Sequence, residues 1–340
     1  MAGFPARMAP LGSRLRSTLI TTSPRRAPRI SYTFADINAV LANDGLLAAF
    51  TFAQTGSMTQ DPRCLRVPLE PLLDPAAVEI WQVDGSVRSG IDDTLQWSTG
   101  GGWLFAAINV DEREHGGPEG AAAWAYMRLC EFLRTRAERH VLRLWNYQGD
   151  INRGNGDAER YKQFCAGRVR GMGSFFTDGF PAASALGHHG PAHQLQVYLL
   201  ACDQPGTRVE NPRQVSAWHY PRQYGRTPPS FARATSLPAS NVLAISGTAA
   251  VVGHASAHHD DVEAQVREIL TNLDALLAST GIGAGFNSRS PLKVYVRHAD
   301  DAAQVRELLR KCLPDVPLLV LNADVCRSEL LVEIDGWRCP

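Results

Sequence analysis

Three groups of residues in this 340-residue sequence stand at spacings that could do chemistry. The densest is Trp145-Asn146-Tyr147, Ile151-Asn152, Glu159-Arg160-Tyr161, Phe164 and Gly167-Arg168. On a helix starting near Asp157, residues Tyr161, Phe164, Cys165 and Arg168 share one face, because i, i+3, i+4 and i+7 align. Aromatic rings beside a guanidinium suit a flat organic anion, which they can stack on and pair with. The same pattern also describes an amphipathic helix whose arginine snorkels to solvent. The second group is Glu210-Asn211-Pro212-Arg213-Gln214 with Tyr220-Pro221-Arg222-Gln223-Tyr224-Gly225, either a solvated linker or a preordered binding wall. The third is Arg297, Cys326-Arg327 and Glu333. Strand alternation sends Val332 and Ile334 to a core and Glu333 to the other face, beside Leu331. A carboxyl among apolar neighbours keeps its proton to higher pH and becomes a usable acid, whereas an exposed strand glutamate does not.

Other reactive types point less clearly. The pairs His188-His189 with His193, and His258-His259 beside Asp260-Asp261, lack HExxH or Cys/His ligand spacing, so the sequence implies no metal. Gly100–Gly102 and Gly281-Ile282-Gly283-Ala284-Gly285 fit neither a phosphate loop nor a dinucleotide fingerprint. Seven cysteines are widely spaced, odd in number and form no CxxC, which favours free thiols in a reducing cytoplasm.

The elements that must position these groups follow from composition and pattern. Basic and acidic residues number 34 each, so neither nucleic acid nor an anionic membrane is the expected partner. The length suits about two domains. No apolar run reaches the ~18 residues of a membrane span, and residues 46–53 look like a piece of a core helix. Residues 1–30 carry six arginines and no acid, as a transit peptide or a disordered extension would; the expectation is a disordered Arg-rich extension.

From residue 31 to about 204 one α+β unit is expected. It has strands at 103–110, 140–147 and 194–201, a helix from Glu119, and a Gly/Asn-rich loop at 149–156. The second unit, 205–340, repeats the grammar. A strand at 241–247 precedes a helix opened by Asp260 and Glu263, with stripe residues Val262, Val266, Ile269, Leu270, Leu273, Leu276 and Leu277, and Gly281 as its stop. A strand at 292–297, a short helix around 302–312 and strands at 317–322 and 329–335 follow. The stretch 205–229 reads as the connector.

The second half resembles the RidA (YjgF)-like fold through Ile245-Ser246-Gly247-Thr248, Asp261-Val262-Glu263-Ala264-Gln265 with Asn272-Leu273, Val294-Tyr295-Val296-Arg297 and Leu331-Val332-Glu333-Ile334. More specifically, Leu144-Trp145-Asn146-Tyr147 with Ile151-Asn152, Glu159-Arg160-Tyr161, Phe164 and Gly167-Arg168, together with Glu210-Asn211-Pro212-Arg213-Gln214, resemble the chorismatase family over residues 30–338. The resemblance implies an α+β chain of two tandem RidA/YjgF-like (chorismate-mutase-like) α/β sandwiches. It implies chorismate as substrate and cleavage of its enolpyruvyl ether to pyruvate without metal or cofactor. Glu333 matches the family's acid, and Tyr161, Arg168, Tyr220 and Arg297 match substrate-holding positions. Tyr147, Thr248, Ala249 and Arg327 are expected around the ring, though Arg327 could instead hold a strand edge. Cys326 lies seven residues before Glu333, as in the branch that forms 3-hydroxybenzoate, sometimes with the 4-isomer; another branch adds water and leaves a trans-diol. A RidA-type imine deaminase is the further alternative. A monomer or homotrimer is expected, with no nucleic-acid or membrane partner.

Overall fold

The structure, a computed structural model, describes residues 26–52, 59–73, 77–283 and 285–340. It is α+β, with two seven-stranded sheets and a four-stranded one packed around a shared core, and a pair of helices on the other face of each larger sheet. The first sheet runs in the order Asp324–Val325, Ala182–His188, His140–Gly149, Gln194–Cys202, Trp103–Asp111, Leu95–Gly100 and Arg88–Asp92. The second runs Thr207–Val209, Ala234–Ser236, Leu243–Ala249, Val332–Arg338, Leu292–Val296, Leu318–Asn322 and Glu70–Pro71. Each half therefore lends a two-residue strand to the other's sheet. Asp324–Val325 pairs with Ala182–His188, and Glu70–Pro71 with Leu318–Asn322.

The alternation of the strands explains the layering. In Leu292–Val296, residues Leu292, Val294 and Val296 meet the apolar stripe of helix Val262–Thr280, while Tyr295 joins the core between the sheets. The inter-sheet core is aromatic: Trp81, Trp145, Tyr198 and Trp337 pack within it, with Trp145 stacked on Tyr198 at 4.8 Å. Outside the first sheet, helices Pro118–Arg134 and Arg160–Met172 lie tight together. A Cβ on Gly167 would stand 2.0 Å from the Glu119 carbonyl oxygen, and one on Gly171 2.3 Å from that of Ala123. Only glycines allow this approach, and it sets how deep the Arg160–Met172 helix sits.

The helix expected from Glu119 is Pro118–Arg134, the one expected to open at Asp260 is Val262–Thr280, the short one around 302–312 is Ala302–Cys312, and the strands flanking them are present. Gly281 ends its helix with a left-handed φ of 67°. Several expectations are corrected. Residues 46–52 form a strand, Leu46–Phe52, pairing with Cys64–Val67 and Val78–Gln82 in a small four-stranded sheet with Arg29–Thr33 at its edge. Seven residues buried on both faces are too short a run for helix periodicity to declare itself. The extension expected at 1–30 falls mostly outside the described residues, but Arg29 and Ile30 are strand residues, and the Arg26 carbonyl accepts from the Trp103 indole at 3.1 Å. The helix cap is Asp261 rather than Asp260, its carboxylate accepting from the Ala264 amide at 2.9 Å. The last strand is Val332–Arg338, leaving Glu329 in the preceding loop. Among the described residues no helix is long and apolar enough to cross a membrane.

Candidate active site

Glu333 sits on the central strand Val332–Arg338, with Val332 and Ile334 in the helix-side core and its own side chain turned the other way. It is 4% exposed. Burial pushes its carboxyl up to about 8, the Asp335 carboxylate adds to the rise, and Arg143 and Arg233 oppose it. Among the described residues nothing hydrogen-bonds that carboxyl. It is a neutral acid at physiological pH, and it borders a cavity of about 460 Å³.

The cavity lies where both sheets and one helix converge. Helix Arg160–Met172 contributes Tyr161 and Arg168; strand Ala182–His188 contributes Ser184; strand Leu243–Ala249 contributes Gly247 and Ala249; the loop after Asp324–Val325 contributes Cys326, Arg327 and Glu329. The loop 152–159 lines it as well, through Asn152, Asn155 and Glu159, and a further wall is the segment 214–233, with Gln214, Tyr220, Tyr224, Phe231 and Arg233. That segment is therefore a binding wall rather than a linker. It is clipped to helix Val262–Thr280 by Asn211, which donates to the Asn272 carbonyl at 2.8 Å, and by Arg213, which donates to Asn272 Oδ1 at 2.7 Å and pairs with Glu268 at 2.7 Å.

Two guanidinium groups face the cavity with donors to spare. Arg168 is 3% exposed, and its Nε and Nη2 meet no hydrogen-bond partner among the described residues. Arg233 donates through Nη2 to the Val215 carbonyl at 2.8 Å and to the Tyr220 hydroxyl at 2.7 Å, while its Nε is unpartnered. A buried cation without an acceptor is costly, so such groups in a cavity mark the place of an anion. Arg327 closes one side. Its guanidinium lies 3.9 Å from the Tyr224 ring centre, and Nη1 donates to the His254 carbonyl and the Ser256 hydroxyl, both at 3.0 Å. Burial raises the Cys326 thiol to about 12, with the Glu333 charge contributing, so it is a proton-bearing thiol at neutral pH. Burial likewise raises Tyr161 well above the usual phenol range.

Of the expected site residues, Glu333, Cys326, Tyr161, Arg168, Tyr220, Ala249 and Arg327 line the cavity. Three do not. Arg297 spends all five N–H groups on the Leu330, Val325 and Arg327 carbonyls, Asn152 Oδ1 and Asp324 Oδ1, so none is left for a ligand. Tyr147 is buried in the inter-sheet core with its hydroxyl 3.2 Å from that of Tyr295. Thr248 lies between the two cavity-facing residues Gly247 and Ala249, so alternation turns it away, and its hydroxyl bonds the Ser246 carbonyl. Arg233, Ser184, Gly247 and Phe231 are the residues the sequence reading missed; nothing in their spacing distinguishes them, because three separate segments bring them together. Of the histidines, His188 has both ring nitrogens bonded to backbone atoms, of Gln194 and Gly190.

A family model described as "Chorismatase FkbO/Hyg5-like, N-terminal" matches residues 79–201. A 3-hydroxybenzoate synthase of Streptomyces hygroscopicus is 39% identical over 284 residues, 78% of this chain and 82% of that protein. The chain belongs to the chorismatase family. A chorismatase of Streptomyces rapamycinicus is 34% identical over 281 residues, 77% of this chain and 82% of that protein. Among solved structures, a crystal structure of a chorismatase superposes with a TM-score of 0.81 at 30% identity, covering 92% of this chain and 98% of the other. A YjgF/YER057c/UK114-type protein of Mycobacterium tuberculosis matches 32% of this chain and 86% of the other at 19% identity with a TM-score of 0.26, too slight a likeness to argue from.

Proposed function

We propose that this chorismatase-family chain cleaves the enolpyruvyl ether of chorismate, releasing pyruvate and forming 3-hydroxybenzoate. The observation that carries the reading is a buried, neutral Glu333 in the same cavity as two guanidinium groups that still have N–H donors free. Chorismate is a flat dianion, and Arg168 and Arg233 are suited to its two carboxylates, with Tyr161, Tyr220 and Phe231 as the aromatic wall. Glu333 gives its proton to the enolpyruvyl methylene carbon, leaving an oxocarbenium-like centre whose positive charge the new carboxylate of Glu333 faces. The ring carbon–oxygen bond of that centre then breaks and pyruvate leaves with the ether oxygen; the neighbouring ring hydroxyl closes onto the vacated carbon, its old carbon–oxygen bond opens, and loss of the hydrogen on the newly oxygenated carbon aromatises the ring, the one proton released restoring Glu333. Ala249 and Cys326 border the place where the ring would lie, and the protonated Cys326 thiol can pass a hydrogen during aromatisation, which supports the 3-hydroxybenzoate outcome over the diol. Arg327, held by His254 and Ser256 and stacked on Tyr224, completes the enclosure.

The seven cysteines are all free thiols, which supports a reducing, cytoplasmic setting. The direct test incubates purified protein with chorismate, assays pyruvate and identifies the aromatic product by mass and retention time. Stoichiometric pyruvate and 3-hydroxybenzoate are expected; folded protein that releases no pyruvate would reject the assignment.

A further inference from the structure

The cavity has a deep end and a mouth. Glu333, Arg168 and Ser184 are buried at the deep end, whereas the lining residues exposed to solvent are Gly154, Asn155, Gly156, Gln223 and Ser328. Two lips of the mouth are therefore the loop leading into helix Arg160–Met172 and the middle of the segment 216–231.

That segment is fastened at its two ends. At the first, the Val215 amide donates to the Gly253 carbonyl and the Gly253 amide to the Arg213 carbonyl, both at 2.9 Å; at the second, the Ala232 amide donates to the Pro181 carbonyl at 3.0 Å. Between these ends the backbone bonds only to itself among the described residues: His219 to Ser216, Tyr220 to Ala217, Tyr224 to Pro221 and Gly225 to Arg222. A stretch whose backbone is not tied to its surroundings opens at a lower free energy than the sheets beside it. Side chains hold it instead. The Tyr220 hydroxyl accepts from Arg233, and the Tyr224 ring covers Arg327. At the tip, Arg222 grips Asp157 with two parallel bonds, Nη1 to Oδ1 at 2.9 Å and Nη2 to Oδ2 at 2.7 Å, and Arg226 Nε stands 3.4 Å from Oδ2. Asp157 lies in the 3-10 turn Gly156–Ala158, on the opposite lip. One carboxylate on one lip thus holds two guanidinium groups on the other.

We infer that the segment 216–231 is a lid over the cavity and that Asp157 is the latch that holds it shut. Opening at the latch admits the substrate and lets both products out; closing sets Tyr220 against Arg233 and Tyr224 against Arg327. Asp157 acts through the lid, so it is a positioning residue. The inference rests on the reaction proposed above taking place in this cavity. An exposed ion pair is weak and is screened by salt, as a latch that releases at every turnover has to be.

The test compares wild type with Asp157→Asn, Arg222→Gln and Asp157→Glu. Hydrogen exchange of the ligand-free protein, read by mass spectrometry, is expected to quicken about two- to fivefold across 216–231 in the first two variants. The flanking strands and the melting temperature stay as in wild type. In about 1 M salt wild type is expected to exchange at the variants' rate. The KM for chorismate, from pyruvate release, is expected to rise by about two- to fivefold in both variants with kcat within about twofold, because the closed form is the one that binds. Asp157→Glu, which keeps the carboxylate, is expected to restore both readouts. The first two variants change the charge at the mouth in opposite senses. A latch therefore moves KM in the same direction in both, whereas a mere field at the mouth moves it in opposite directions. Exchange unmoved in both variants, or KM moved in opposite directions, overturns the inference. Wild type that releases no pyruvate, with exchange still quickened in both variants, overturns the assigned reaction and leaves the lid standing.

Discussion

Oε1 of Glu333 lies 1.8 Å from the point where Gly247 would carry a Cβ. Strands Leu243–Ala249 and Val332–Arg338 are paired neighbours, with an irregular register between Ile245 and Thr248 that falls on this spot. The glycine is what gives the acid its seat. Gly247→Ala would leave the strand in place, since the clashing atom is the end of a side chain that can rotate, but the carboxyl would have to leave its present position. Turnover is expected to fall about tenfold or more, because small misplacements of a reacting group are costly. Thermal unfolding should stay within a few degrees of wild type. Pyruvate release and a melting curve on the same preparation check both parts.

The raised proton affinity of Glu333 makes stability depend on pH. The folded protein holds this proton up to about 8, whereas an unfolded glutamate releases it near its ordinary value of 4.5. Between those values the folded state binds more protons, so the slope of stability with pH is negative. The favourable contribution is fully present below the unfolded value and is lost as pH rises through about 8. Glu333→Gln removes that dependence. The variant is expected to melt above wild type at pH 9, with the difference shrinking steadily towards pH 5. A constant offset across this range would contradict the buried neutral acid.

Much of this architecture was legible because period and burial agree. The stripe from Val266 to Leu277 and the alternation of Leu292 to Val296 each announce an element whose two faces meet different cores. The small sheet was not legible, since Leu46–Phe52 is apolar throughout and shows neither period. At the site, Glu333 could be found because its apolar strand neighbours imply burial. Arg233 could not, because its burial comes from Phe231, Tyr220 and the Val215 carbonyl, contacts that no local pattern encodes. The motif around Trp145 and Asn146 turns out to be largely scaffold. Asn146 accepts from the Tyr126 hydroxyl at 2.6 Å and donates to the Ser184 carbonyl at 2.8 Å, while Trp145 donates to Asp335. Arg160 likewise pairs with Glu112 at 2.6 Å and caps two carbonyls, so its role is to hold the loop in front of Tyr161.

Arg168 presents the opposite case, a cation whose surroundings do not repay its burial. It lies 5.1 Å from the Tyr126 ring centre, and two of its nitrogens have no acceptor among the described residues. Removing such a charge relieves a desolvation cost, while a ligand carboxylate loses a charge-assisted bond typically worth about 1.5–3 kcal/mol. Arg168→Met is therefore expected to melt at or above the wild-type temperature. Its KM for chorismate should rise by about ten- to a hundredfold, as that bond energy implies. A melting curve and initial rates over a wide substrate range separate the two effects. An unchanged KM would remove Arg168 from the carboxylate grip.

Arg297 tests the same logic in reverse. Its five N–H groups tie together Asn152, Asp324, Val325, Arg327 and Leu330, the loop that carries Cys326, Arg327 and Glu329 to the cavity. Burial lowers the proton affinity of its guanidinium, with Asp324 acting against that, yet the side chain stays an obligate donor. Arg297→Ala would take the donor from the Leu330 carbonyl, leave the Val325 and Arg327 carbonyls with only Asn152 and the Leu330 amide, and break the pair with Asp324, a change of the kind that costs about 3–5 kcal/mol when a mostly buried pair is broken. The variant is expected to melt many degrees lower and to show faster hydrogen exchange across 324–330. A substrate-gripping arginine would behave differently, raising KM while leaving the melting temperature alone. If Arg297→Ala gave that second pattern, the guanidinium would have to turn from the loop to the ligand during the reaction.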